Sequence, residues 1–274
     1  MSWKRTVSAF LMSILVAGAV INKWLFIIVL SLLTLGGLYE FFYLVKKKDI
    51  PIYSYTGIFI GLLIPLSIFT GFQPTKNWEL LFFVVAFLLI LILQFARQDN
   101  RNAIVGLSTT LFGVLYVSWF FSFLVKIRFL LPEVEGVKLL AFILLVTKSG
   151  DIGALLIGSW FGRHPLLPKV SPNKSIEGGV GSLLFSGTVA VLFRSFLPEL
   201  PHFSIIHVAL MGMFFGALGL LGDLSESLIK RDCNVKDSGK FLPGMGGVLD
   251  VIDSLLFSAP AFYLYMSSAL NTAH

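Results

Sequence analysis

The sequence predicts an all-α, polytopic integral membrane protein of about nine transmembrane helices, and three observations carry that expectation. Of its 274 residues, 56% are hydrophobic and only 13% charged, with a mean hydropathy of +0.88. Soluble domains carry about 25% charged residues, and half that figure leaves too little polar surface for a water-soluble body. The apolar residues are also gathered into long runs. Within such runs, Leu80 to Leu93 for example, apolar and polar residues do not alternate, which removes a membrane β-barrel and leaves helices. Disorder is excluded as well, because it needs low hydrophobicity and high charge.

A bilayer core of about 30 Å takes roughly 20 apolar residues as helix. The runs that meet or approach this are 7–21, 24–45, 52–72, 78–95, 103–125, 138–161, 179–197, 204–229 and 248–270. The first is short, and Asn22-Lys23 makes a tight break before the second. Lys4 and Arg5 precede it and Ala17-Gly18-Ala19 ends it, a pattern shared with signal peptides; we read it as an uncleaved first helix. The sixth run carries Gly150, Ala154, Gly158 and Gly162, one small residue every four, so a second helix can approach closely. Gly212 and Gly216 do the same in the eighth. These stripes suit internal packing and a homodimer equally. With no internal repeat and no low-complexity linker, the chain reads as one membrane domain in two parts, 1–137 with spans one to five and 138–274 with spans six to nine.

Two-thirds of the 21 Lys and Arg stand at the N-terminus or in the loops after the even-numbered spans. The positive-inside rule then puts the N-terminus and those loops in the cytoplasm. Much of the net charge of +6 is therefore an orientation signal, and no nucleic-acid partner is expected. The single cysteine, Cys233, excludes an intrachain disulfide and a thiolate zinc cluster.

A charge near the bilayer centre costs about 2.5–3.5 kcal/mol, so it usually faces a cavity or a partner. Glu40, Lys148, Asp151, Arg194, Asp223, Glu226, Asp250 and Asp253 fall in or beside the runs. Glu40 and Arg194 lie near span ends and read as snorkelling. Lys148 and Asp151, three apart on one face, suit a structural ion pair or a site.

The most informative stretch runs from Gly222 to Ser254. Asp223, Ser227 and Lys230 share one helix face at the end of the eighth span. Arg231, Lys236 and Lys240 follow, then the flexible turn Pro243-Gly244-Met245-Gly246-Gly247, whose backbone suits close approach to a ligand. Asp250 and Asp253 open the ninth span one turn apart. At about 6 Å and an effective dielectric near 20, two carboxylates repel by roughly 3 kcal/mol. The helix N-terminus offsets about 0.3–1 kcal/mol of that. A divalent cation is the simplest remedy, and oxygen ligands suit magnesium shared with substrate phosphates. A solvated loop with helix caps accounts for the basic residues but not for two acids in an apolar helix start. A cation-coupled transporter could use such acids, with less need of a basic, glycine-rich loop and usually with inverted repeats.

These residues resemble the signature of the phosphatidate cytidylyltransferases, the CDP-diacylglycerol synthases. Ser227, Lys230, Arg231, Lys236, Asp237, Pro243, Gly246, Gly247, Asp250 and Asp253 stand at its positions, while Met245 replaces the usual His and Val251 the usual Arg. An upstream segment is also similar: Asp151, Gly153, Ala154, Gly158, Gly162, Arg163, then Ser171-Pro172-Asn173-Lys174-Ser175-Ile176-Glu177-Gly178. Here Ser171-Pro172 reads as a helix cap followed by proline at the first position, with Lys174 near that start. The two segments cover about a quarter of the chain; the first five spans match in hydrophobicity alone.

The resemblance implies that CTP and phosphatidic acid become CDP-diacylglycerol and pyrophosphate at the cytoplasmic side of the cell (inner) membrane. It implies magnesium on Asp223, Asp250 and Asp253, with a second metal ion left open. Lys230 completes the catalytic set. Lys174, Ser175, Ser227, Arg231, Lys236, Gly246 and Gly247 would bind phosphates, and Asp151, Lys148, Glu177 and Asp237 stand nearby in the motifs. It favours a homodimer. The rival readings are a related lipid nucleotidyltransferase, a polyprenol- or phytol-type lipid kinase, and the transporter.

Overall fold

The computed structural model describes residues 3–72, 74, 78–98, 100–198, 203–239 and 246–272, with side chains from Leu11 onward. Lys240, Pro243, Gly244 and Met245 of the motif lie outside the described residues. The chain is mostly helical: α1 (Trp3–Ile21), α2 (Lys23–Lys46), α3 (Ser54–Thr70), α4 (Trp78–Phe95), α5 (Ala103–Gly113), a π-helical segment (Val114–Trp119) and α6 (Phe120–Arg128). Then come α7 (Glu133–Phe161), the strands β1 (Pro165–Leu167) and β2 (Ser171–Ser175), α8 (Ile176–Leu192), α9 (Ile205–Asp232) and α10 (Leu249–Asn271).

Every predicted run falls on a helix, the fifth being continuous through the π-helical segment. Among the described residues, six helical stretches are long and apolar enough to cross a membrane: α2, α4, Ala103–Arg128, α7, α9 and α10. The apolar part of α1 (Leu11–Ile21), α3 and α8 are shorter. At 1.5 Å per residue, the 17 residues of α3 or α8 reach about 26 Å, less than a typical hydrocarbon core of about 30 Å. A multi-pass helical chain is what these lengths support; a count of nine spans does not follow from them.

One local expectation is overturned. Ser171-Pro172 does not start a helix. It lies in β2, antiparallel to β1, with Pro165 opposite Ser175 and Leu167 opposite Ser171. Proline disfavours helical backbone in the residue before it. The helix begins at Ile176, where the Ser175 hydroxyl accepts the Gly178 N–H at 3.0 Å as the true N-cap.

The fold has two compact units. The first comprises Met1–Val125 and Asp237–Leu249. Its core joins Tyr53, Ile60, Ile64, Ala86, Ile90 and Val114. Phe41 and Phe42 are buried where Gly113 and Gly57 leave room for their rings. Ser118, within the π-helical segment, donates to the Gly61 carbonyl and locks that segment to α3.

The second unit comprises Lys126–Lys236 and Asp250–His274. Phe142, Phe215 and Phe262 meet in its core, with ring centroids 5.8 Å and 5.3 Å apart. Small residues form the seams. Gly150 lies against Ser182 and Ser186, Gly153 against Gly181 and Phe185, and Gly216 against Ser186. The Ser186 hydroxyl donates to the Val146 carbonyl at 3.0 Å. A Cβ at Gly153 would stand 2.6 Å from the Gly181 carbonyl oxygen. Gly153→Val should therefore push α7 from α8 and destabilise the protein by about 1–3 kcal/mol, read as a lowered thermal midpoint in detergent.

Candidate active site

The middle of α7, the last turns of α9, the start of α10 and strand β2 bring an unusual set of charges together within the second unit. Asp223, Glu226 and Lys230 are spaced three and four apart, so all three side chains share one face of α9. Gly222 lets that turn touch α10, since a Cβ there would collide with the Asp253 carbonyl. As a result, carboxylate oxygens of Asp223, Glu226 and Asp253 lie within 4.8 Å of one another. Glu226 and Asp253 are buried, at 0% and 5% exposure.

Three ammonium groups face these acids. Lys174 reaches from β2 to Asp223 at 2.6 Å. Lys230 sits between Glu226 and Asp250, 2.5 Å from the latter. Lys148 on α7 donates to Asp151 Oδ2 at 2.9 Å, to Ser254 Oγ at 2.8 Å and to the Val251 carbonyl at 3.0 Å. The Ser254 hydroxyl also contacts Asp151 Oδ2 at 3.0 Å. Three acceptors saturate the three N–H bonds of Lys148, so its role is to tie the first turns of α10 to α7.

Five carboxylates thus meet three ammonium groups, leaving a formal excess of two negative charges. Glu226 Oε1 is buried and has no hydrogen-bond partner among the described residues. Carboxylates at 4.8 Å repel by about 3 kcal/mol at an effective dielectric near 20. The donor set is all oxygen. It fits one hard divalent cation of the magnesium type, matching the surplus charge.

The other predicted site residues divide into two groups. In the second unit, Ser227 is half-buried on α9, and Arg231 and Lys236 are exposed. The Arg231 guanidinium donates to the Val170 carbonyl at 3.1 Å, so it braces the hairpin. Ser175 caps α8. Glu177 accepts from the His164 ring at 2.7 Å and from the N–H groups of Arg163 and His164. That hydrogen bonding, the His164 side chain foremost, holds the Glu177 carboxyl far down, at about 2. Asp237, Gly246 and Gly247 belong to the first unit, where Gly246 has φ +97° and Gly247 packs against Ser238 and Glu40. Val251 takes part through its carbonyl, a contact that the usual arginine would supply equally.

Two members of the cluster had no role assigned from the sequence. Glu226 stands three residues after Asp223, the spacing that paired Asp250 with Asp253, and the same test would have put it on the site's face. Ser254 gave no such signal, since its partners lie more than 100 positions away on α7. Asp250, expected among the metal ligands, is separated from Glu226 by the Lys230 ammonium.

Comparison with known proteins shows which family the chain belongs to. A phosphatidate cytidylyltransferase of Synechocystis sp. is 32% identical over 274 residues, covering 90% of each chain. One from Bacillus subtilis is 32% identical over 234 residues, 82% of this chain and 84% of that protein. An uncharacterized protein of Escherichia coli, YnbB, is 33% identical over 256 residues, 89% of this chain and 80% of its own. The model of the cytidylyltransferase family matches residues 3–269. With nearly its whole length matched, acidic cluster included, the chain belongs to the cytidylyltransferase family.

Proposed function

We propose that this protein transfers the cytidylyl group of CTP to phosphatidic acid, giving CDP-diacylglycerol and pyrophosphate, as a multi-pass membrane enzyme of phospholipid synthesis. The observation that carries this reading is the acidic cluster of Asp223, Glu226 and Asp253, ringed by lysines, in a family of cytidylyltransferases. A phosphate oxygen of phosphatidic acid forms the new bond to the α-phosphorus of CTP, and the bond from that phosphorus to the bridging oxygen breaks. Pyrophosphate carries away the electron pair. The nucleophile is already anionic, so no side chain need take a proton.

Asp223, Glu226 and Asp253 would hold magnesium, with Asp250 the next carboxylate out. Bound there, the ion would neutralise phosphate charge and favour pyrophosphate departure. Lys174 and Lys230 can exchange a carboxylate for a phosphate oxygen when nucleotide enters. Arg231 and Lys236 add positive charge where the triphosphate approaches. Lys148, Asp151 and Ser254 hold the turn that bears Asp253. In this reading the site faces the cytoplasm, where CTP is found.

Radiolabelled CTP incubated with purified protein and phosphatidic acid should yield labelled lipid. Chelation with EDTA should remove at least about 99% of that turnover, and added magnesium should restore it. Equal incorporation with and without EDTA would sink the metal assignment. Label entering a polyprenol but not phosphatidic acid would replace the substrate.

A further inference from the structure

Glu40 stands near the C-terminal end of α2 at 3% exposure, and the chemistry above makes no use of it. Burying an ionised carboxylate is costly, and a plain packing contact would not need one. Its Oε2 accepts the Ser238 hydroxyl at 3.1 Å and the Leu249 backbone N–H at 2.9 Å. Gly239 and Gly247 press on the same carboxylate, since a Cβ at either would run into one of its oxygens. These four residues form the two stems of the loop that carries the family motif. Ser238 and Gly239 follow Lys236-Asp237, and Gly247 and Leu249 precede Asp250. One buried carboxylate therefore fastens both stems.

Leu249 is also the first residue of α10. Its N–H has no intrahelical acceptor, and Glu40 supplies one from 209 positions away. The negative charge also suits the positive end of the helix. Asp250 is the next residue, and Asp253 stands one turn further along the same helix.

We propose that Glu40 is a positioning residue for cytidylyl transfer: it clamps the stems of the motif loop and sets the first turn of α10, and so the direction of Asp250 and Asp253. The proposal rests on the function proposed above.

The test uses the full chain in detergent, with Mn²⁺ affinity measured by electron paramagnetic resonance beside kcat and the KM for CTP. Glu40→Ala should weaken Mn²⁺ binding and lower kcat by about tenfold or more each, with KM moved less than about threefold. Glu40→Gln keeps an oxygen that can accept both hydrogen bonds, and should recover most of that loss. Gly239→Ala should reproduce the Glu40→Ala defect, and the double variant should be far from additive because both changes disturb one contact. If Glu40→Ala does not accumulate, Gly239→Ala is read in its place. Wild-type Mn²⁺ affinity and kcat in Glu40→Ala would overturn the proposal. So would a lowered thermal midpoint with both quantities unmoved. Asp253→Asn is the control: if it keeps full Mn²⁺ affinity, the metal assignment falls and kcat alone judges Glu40. If phosphatidic acid is not a substrate, the functional reading falls and Mn²⁺ affinity judges it.

Discussion

Asp253→Asn should abolish cytidylyl transfer while leaving the protein folded. Asparagine has the same shape, and at 5% exposure the side chain is already enclosed by protein. What is lost is one full negative charge at the centre of the acidic cluster. Removing a single preorganised electrostatic group from a catalytic site typically costs about a hundredfold to a thousandfold in turnover, and a central metal ligand belongs at the upper end. The expected result is a fall in kcat of about a thousandfold in the labelled-CTP assay, with an unchanged elution profile and helical content. Asp250→Asn should cost less, because Asp250 sits behind the Lys230 ammonium instead of within the cluster. Equal activity in wild type and Asp253→Asn would remove that carboxylate from the chemistry.

Lys230→Met should be among the most destabilising single substitutions in the second unit. Its ammonium is 12% exposed and lies between Glu226, whose side chain is fully buried, and Asp250. Removing one partner of a buried pair leaves the other charge uncompensated, at a cost of about 3–5 kcal/mol. The thermal midpoint should drop sharply. Adding Glu226→Gln to Lys230→Met removes the fully buried stranded charge and leaves only Asp250, at 19% exposure, so it should return part of the stability. It should not return turnover, since both a phosphate-binding cation and a cluster carboxylate are then missing. A double variant that regained activity would show that this pair supports the fold alone.

Much of the helical framework was legible in the sequence, and much of the site, for different reasons. Runs such as 24–45 and 138–161 announce helices because lipid tolerates few polar groups and leaves the backbone only internal partners. Length was harder to judge. The α3 and α8 runs look like the others, yet their helices end at 17 residues, one at Gly71 in left-handed backbone and the other in a short 3₁₀ turn. The β1–β2 hairpin was invisible because strands of three and five residues, rich in proline and polar side chains, offer no alternation to detect. Asp223, Asp253, Lys230 and Lys174 were found by helical spacing and motif. Glu226 reads from the sequence as a misplaced charge without an assigned role. Glu40 was read as a snorkelling residue, because a partner 209 positions away leaves no trace in local spacing. Helical periodicity reports faces of one element; it does not report which loop a face will grip.

The seams of glycine and serine between α7, α8 and α9 have a consequence for how this sequence can change. At Gly150, Gly153, Gly181, Gly212 and Gly216, a single added methyl would meet backbone or buried side-chain atoms at 2.4–2.7 Å. Replacements there are costly one at a time, since what they meet is backbone, a small side chain, or the near end of Phe185 or Ile157, none of which can swing aside. On the outward faces of the same helices, Leu155, Trp160, Leu184 and Phe214 are exposed and bulky, with room to vary in size. In a saturation library, the seam glycines should be as intolerant as the buried Phe142 and Phe215, and the large residues of the outward faces the most tolerant. Along these helices small size marks constraint as firmly as a buried aromatic ring such as Phe142 or Phe215 does, contrary to the habit of looking for constraint only among the large hydrophobic side chains of a core.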